Sequence, residues 1–303
     1  MNIIRCLFRI CNKAIRYTNW YKNNFMGGAS KFWGINQFGL DVINLGSGAG
    51  LHAFCYDDLE GVKGMNWALA PQSLLHDFNI LRNYFSYLHK GAFVIIPICP
   101  FSCLFSTYDR NHNLKYYTFL HPATIIEFDD SERTRALKIK ANPIKEIPIY
   151  CFKMTIKEIV YKLVKLLIHP KVSLQESADT MIDGWKRQFC ITDFNKSLTE
   201  EQLLEQKSRR STLDEMVSFI KERDFVPVVI VMPMHPFLSS QFPSEFKYNY
   251  IDSFLDGIDC IKLDYMYDKT FSKDEYYSTA LFLNRYGSSI FTKEVMRQLG
   301  ISK

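Results

Sequence analysis

Two uninterrupted apolar runs constrain this chain more than any other feature. Ala92-Phe-Val-Ile-Ile-Pro-Ile-Cys99 and Pro227-Val-Val-Ile-Val-Met-Pro233 are rich in β-branched residues and carry no alternating polar face. A strand of that kind must be covered on both sides, the situation inside a parallel sheet packed between helices. Val42, Ile43 and Leu45 form a shorter run of the same type, and Gly61–Leu69 and Asp259–Asp264 read as two further strands. Helical periodicity separates them. Leu74, Leu75, Phe78, Leu81, Phe85 and Leu88 repeat at helical spacing, with Gly91 read as the stop. Thr212–Arg223 places Leu213, Met216, Val217 and Ile220 on one face, Tyr248–Leu255 suggests a helix, and Tyr286–Leu299 closes the chain as another. Strands alternating with helices predict a doubly wound α/β fold with a mostly parallel five-stranded sheet.

The stretch from about 106 to 212 breaks this rhythm. It holds aromatic, loop-like sequence, a charged stretch over Asp129–Lys140, an apolar-rich helix over Thr155–Ile168 stopped near Pro170, and two shorter helical pieces. It reads as a helical insertion or lid within a single domain spanning 41–303. Residues 1–40 stand apart, with six basic side chains and no acidic one, while the remainder carries 31 basic and 32 acidic residues. A near-neutral body excludes a nucleic-acid groove spread over the protein. On a helix over 3–18, Arg5, Arg9, Lys13 and Arg16 share one face, and Ile4, Leu7, Phe8, Cys11 and Ile15 share the other. Two readings remain open: the apolar face docks on the body, or it lies on an anionic membrane surface. A charge at every fourth position makes the segment neither a signal peptide nor a membrane span. Eight scattered cysteines form no Cys-x-x-Cys pair, and several sit in apolar runs, as expected of free thiols in a reducing, cytoplasmic setting. No Cys or His pairs have the spacing of a metal site, and no cofactor motif is present.

Ligands of doubly wound sheets bind beyond the carboxyl ends of the strands. Those ends are Leu45-Gly-Ser-Gly48, the loop at Asn66, Pro100-Phe-Ser102 and Met234-His-Pro236. Ser47 therefore occupies a strand-to-helix turn, the position in which several hydrolase folds present a nucleophile. Gly46, Gly48 and Gly50 lack the Lys-Ser/Thr of a phosphate-binding loop.

Four places resemble the SGNH (GDSL-type) hydrolases: the serine turn at Leu45-Gly-Ser-Gly48, Gly64-Met-Asn66, Pro97-Ile-Cys-Pro-Phe-Ser102, and Leu283-Asn284-x-x-Gly287. The wording Asn66-Trp-Ala-Leu-x-Pro-Gln-Ser73 and Phe282-Leu-Asn284 is closest to SGNH-like proteins of bacterial capsule and surface-polysaccharide gene clusters. The matches cover roughly 41–105 and 226–300. The resemblance implies the flavodoxin-like SGNH arrangement and a serine esterase or O-acyltransferase acting on a surface polysaccharide or its precursor, with an acylated glycan or acyl donor as ligand. It also implies Ser47 as nucleophile, with Gly46, Gly48, Gly64, Asn66, Ser102 and Asn284 lining the substrate site. One departure is decisive. The family's closing Asp-x-x-His block supplies the base, and here those positions are Thr279 and Phe282. A serine without a base is a poor nucleophile. The replacement candidates are His235, just past the 227–233 strand, and His52, one turn beyond Ser47, with Asp264 to orient the imidazole. His76 and Asp77 read as an ordinary first helical turn, Asp274 lies at the wrong spacing from the block, and His112 and His169 have no supporting context. The alternative function is an inactive SGNH-like module that binds a glycan or a membrane-associated partner. A nucleotide-binding transferase is a more distant third.

Overall fold

The computed structural model describes residues 3–105, 114–167 and 173–301. The expected helix stop at Pro170, and also His112 and His169, lie outside these residues. The strands are β1 (Leu40–Asn44), β2 (Gly64–Asn66), β3 (Leu88–Ile98), β4 (Val226–Val231) and β5 (Ile261–Asp264). Among the described residues the helices are α1 (Ile3–Tyr17), α2 (Gly48–Ala53), α3 (Leu74–Tyr84), α4 (Asp130–Ala141), α5 (Pro143–Glu146), α6 (Pro148–Leu167), α7 (Leu174–Gln188) and α8 (Glu200–Lys221). They continue with α9 (Pro236–Ser239), α10 (Ser244–Lys247), α11 (Ser253–Leu255) and α12 (Arg285–Gln298).

The strands form one five-stranded sheet in the order β2-β1-β3-β4-β5, and every pairing is parallel. This is the doubly wound α/β fold that the apolar runs predict. β1 and β4 are buried almost throughout, and β3 is buried from Ala92 onward. β5, at the edge, exposes Ile261, Lys262 and Asp264. The chain reverses its winding direction between β1 and β3, so their carboxyl ends flank the crevice where such sheets bind ligands.

Several boundaries differ from the sequence reading, most clearly at Gly91. Gly91 does not stop a helix. α3 ends at Tyr84, a short 3-10 turn follows, and β3 begins at Leu88. Gly91 sits inside β3 at φ +82°, donating its N–H to Asp224 O at 2.6 Å, where the pairing with β1 shifts register. A glycine there gives the left-handed kink of a bulge, which other residues adopt at a cost.

The chain divides into two compact units, and their limits differ from a simple tail plus inserted lid. One unit comprises Gln37–Thr107 and Val172–Lys303 and contains the whole sheet. Its main core gathers Val42, Ile95, Val228, Ile230, Phe291 and Val295, among others. α7 and the first half of α8, expected in the insertion, belong here. α8 runs unbroken from Glu200 because Thr199 and Gln202 form a capping box at its start, and it buries Leu213, Met216, Val217 and Ile220. The other unit comprises Met1–Asn36 and Tyr108–Lys171, so the basic N-terminal segment folds with only the first part of the insertion. Its core is small: Trp20, Tyr21, Met26, Ile139 and Cys151. Buried Asn12 ties α1 to α5 by accepting the Ile144 N–H at 3.0 Å, and Phe32 stacks on Phe119 at 4.5 Å between ring centroids.

Candidate functional site

β1 ends at Asn44, and Leu45-Gly46-Ser47 carry the chain into α2. Gly46 takes φ +109°, which turns the backbone sharply enough to present Ser47 at the helix start. A Cβ on Gly46 would come within 3.0 Å of the Pro97 ring, so the turn packs flush against the end of β3. The same holds on the other side of the serine, where a Cβ on Gly48 would come within 3.0 Å of the Phe282 ring. The glycines thus serve close packing of the turn between Pro97 and Phe282.

The turn is held by two residues that the sequence reading leaves out of the site, Gln72 and Asp77. Asp77, buried on the first turn of α3, accepts the Gly46 N–H at 2.7 Å and a short hydrogen bond from Gln72 Nε2. Gln72 Nε2 also reaches Gly46 O at 3.2 Å. The backbone N–H of Gln72 donates to Ser47 Oγ at 3.1 Å. Asp77 was legible in one respect. It sits beside the apolar stripe of Leu74, Phe78 and Leu81, and a carboxylate buried there needs donors.

A cavity of about 390 Å³ opens at Ser47, between the carboxyl ends of β1 and β3. Its walls are mainly apolar, with Leu74, Pro97, Phe101, Leu281 and Phe282 prominent, and Trp185 and Phe189 close one side. Phe101 stacks on Phe189 at 4.7 Å and packs on Trp185 at 5.2 Å. The polar groups on the wall are few: Ser47, Gln72, Ser73, Asp77, Cys99 and Ser102. Burial pushes the Cys99 thiol up to about 12, so it stays protonated and is no nucleophile.

The structure brings Gly46, Ser47, Gly48 and Ser102 to this cavity and leaves the other sequence candidates elsewhere. Ser102 Oγ accepts the Cys99 N–H at 2.9 Å and shapes the turn after β3. Gly64 lies in β2, where a Cβ would collide with the Tyr56 ring at 2.3 Å, and it faces no oxyanion position. Asn66 spends its side chain internally, donating to the carbonyls of Gly50, Leu51 and Phe54 and accepting from Asn44 Nδ2 and Ala68 N. Asn284 caps α12 through the Gly287 N–H at 3.0 Å. None of the three lines the cavity.

The expected base and its acid are also placed differently. His235 is buried and caps α9: Nδ1 accepts the Phe237 N–H at 3.3 Å, which leaves the proton on Nε2, 2.9 Å from Asp274 Oδ1. Both ring nitrogens are engaged away from Ser47. Asp264 pairs with Lys247 at 2.9 Å and accepts the Met266 N–H at 3.0 Å; it orients no histidine. His235 does have a carboxylate partner, but it is Asp274, drawn in by the fold across 39 residues of sequence. His52 stacks on Phe282 at 4.8 Å between centroids and is not part of the cavity wall. Among the described residues, no imidazole is hydrogen-bonded to Ser47, and no group of His, Cys, Asp and Glu is arranged to hold a metal ion.

Compared with known proteins, the chain matches no protein-family model and no curated protein.

Proposed function

We propose that the chain is an SGNH-like module that holds an acylated glycan, or the acyl donor for one, in the cavity beside Ser47 without covalent chemistry. The observation that carries this reading is Phe282. Its ring packs on Gly48 next to the serine, in the loop where the resemblance calls for a basic imidazole, while Ser47 Oγ accepts a backbone N–H. Among the described residues, no imidazole is hydrogen-bonded to this hydroxyl to take its proton. The apolar wall suits a short acyl chain, and Ser47, Gln72 and Ser102 offer hydroxyl and amide groups at its mouth to an ester or sugar. By the same resemblance, the glycan belongs to a capsule or other surface polysaccharide of a bacterium.

A second reading, a serine esterase or O-acyltransferase, is favoured by the exposure of Ser47 Oγ to the cavity beside the Gln72 N–H, a donor that could face an oxyanion. One experiment separates the two. The protein is incubated with 6-O-butyrylglucose, and both its melting temperature and the released butyrate are followed. Binding predicts a raised melting temperature, intact ester, and loss of the shift when Ser47→Trp fills the cavity. Release of butyrate that disappears in Ser47→Ala would establish the second reading, and absence of any shift would remove the first.

A further inference from the structure

α6 is turned the wrong way round for a helix of a compact protein. The residues that face its own unit are Cys151, Met154, Thr155 and Glu158. Cys151 is buried against Trp20 and Ile139, with Met154 alongside. Thr155 Oγ1 accepts from Trp20 Nε1 at 3.2 Å, and Glu158 accepts the Trp20 N–H at 2.8 Å. The opposite face carries Ile149, Phe152, Ile156, Ile159, Val160 and Leu163, spaced three, four or one apart along one side of the helix. All six are exposed, Ile149 by 84% and Phe152 by 71%. A continuous bare apolar stripe of this length is not ordinary protein surface.

Charge identifies what covers it. Lys153 and Lys157 border the stripe, both exposed. The only acid of α6, Glu158, lies on the inward face and is paired with Lys162 at 2.7 Å. α1, in the same unit, repeats the arrangement, with Leu7 and Ile10 exposed, four basic residues and no acid. The unit as a whole has 18 basic and 7 acidic residues, a formal charge of +11, whereas the sheet-containing unit has 19 and 25, or −6. No helix among the described residues is long and apolar enough to cross a membrane. An apolar stripe edged by lysines on a strongly basic unit is complementary to a bilayer with anionic headgroups, entered only as deep as the side chains reach.

We infer that α6, together with α1, is the surface by which the protein docks onto an anionic phospholipid bilayer. The principal contact is then the stripe on α6, and the basic N-terminal helix is its auxiliary. Co-sedimentation of the full chain with vesicles tests this, using phosphatidylcholine alone and phosphatidylcholine containing one-third phosphatidylglycerol by mole (about 0.33). The wild type is expected to pellet with the anionic vesicles, less so as salt is raised. F152S/I156S, which alters only exposed positions, should keep its melting temperature and lose binding by about tenfold or more. K153E/K157E leaves the stripe intact and tests the charge separately, with affinity falling by about fivefold or more for each lysine lost. The inference is overturned if wild type ignores anionic vesicles, if both double variants bind as wild type does, or if the wild type is a dimer that F152S/I156S converts to monomer.

Discussion

At the scale of single residues, Asp77 and Phe282 decide what the serine turn is. Asp77 satisfies a buried backbone N–H that has no place in the sheet or in α2. Asp77→Ala should therefore destabilise the sheet-containing unit by about 1–3 kcal/mol, with Asp77→Asn milder because it retains an acceptor. Chemical denaturation of both variants checks the order. Phe282 bears on the proposed function. Thr279 Oγ1 accepts the Phe282 N–H at 3.1 Å, so an aspartate at 279 keeps an acceptor for that bond. The double variant T279D/F282H is expected to gain hydrolysis of an activated acyl ester by a factor of about 10²–10⁴ over wild type, as a positioned general base provides. The gain should vanish when Ser47→Ala is added; if it persists, the new imidazole acts without the serine.

At the scale of elements, two glycines in helices have opposite meanings that only contacts distinguish. Gly287, in the first turn of α12, lies so close to the Tyr276 carbonyl that a Cβ would come within 2.2 Å of the oxygen. Backbone cannot step aside as a side chain can, and Gly287→Ala should cost about 2–3 kcal/mol. Gly184, inside α7, would meet nothing within 4 Å. Gly184→Ala should stabilise by about 0.5–1 kcal/mol through helix propensity and a less flexible unfolded chain. Opposite shifts in the denaturation midpoint are the expected result. The elements also show how far periodicity reaches. The buried face of α8 follows from its sequence, and that of α3 only in part, since Leu75 is exposed while His76, Asp77 and Asn79 are buried. The face of α6 does not, because its apolar residues mark a stripe without saying whether protein or solvent lies beyond it.

For the whole molecule, the net charge of +5 conceals two units of opposite sign, +11 and −6. A protein of that kind should be retained on a cation exchanger even at a pH of about 8.6, where its total charge is near zero. Elution from the resin over a salt gradient at that pH measures it, and passage in the void volume would show that the basic surface is internally neutralised. The notion of a basic tail limited to residues 1–40 could not anticipate this, since the other twelve basic residues of the unit lie between 108 and 171.

The parallel sheet, its doubly wound order and the presence of Ser47 at a strand end follow from local facts: β-branched runs without a polar face can only be central strands, and glycines after such a run make a turn. Gly46, Ser47, Gly48 and Ser102 reach the cavity for that reason. The tertiary structure alone decides the rest, because each remaining question concerns pairs far apart in the chain. His235 looks to sequence like a base at the rim and is occupied by Asp274, while Asn66 looks like an oxyanion donor and is consumed by three carbonyls of the α2 segment. Gln72 and Asp77 support the serine only because folding brings the start of α3 and the residues before it against the turn after β1. Hydrogen-bonding groups are assigned by proximity after folding, and residue type fixes only what they are able to donate or accept.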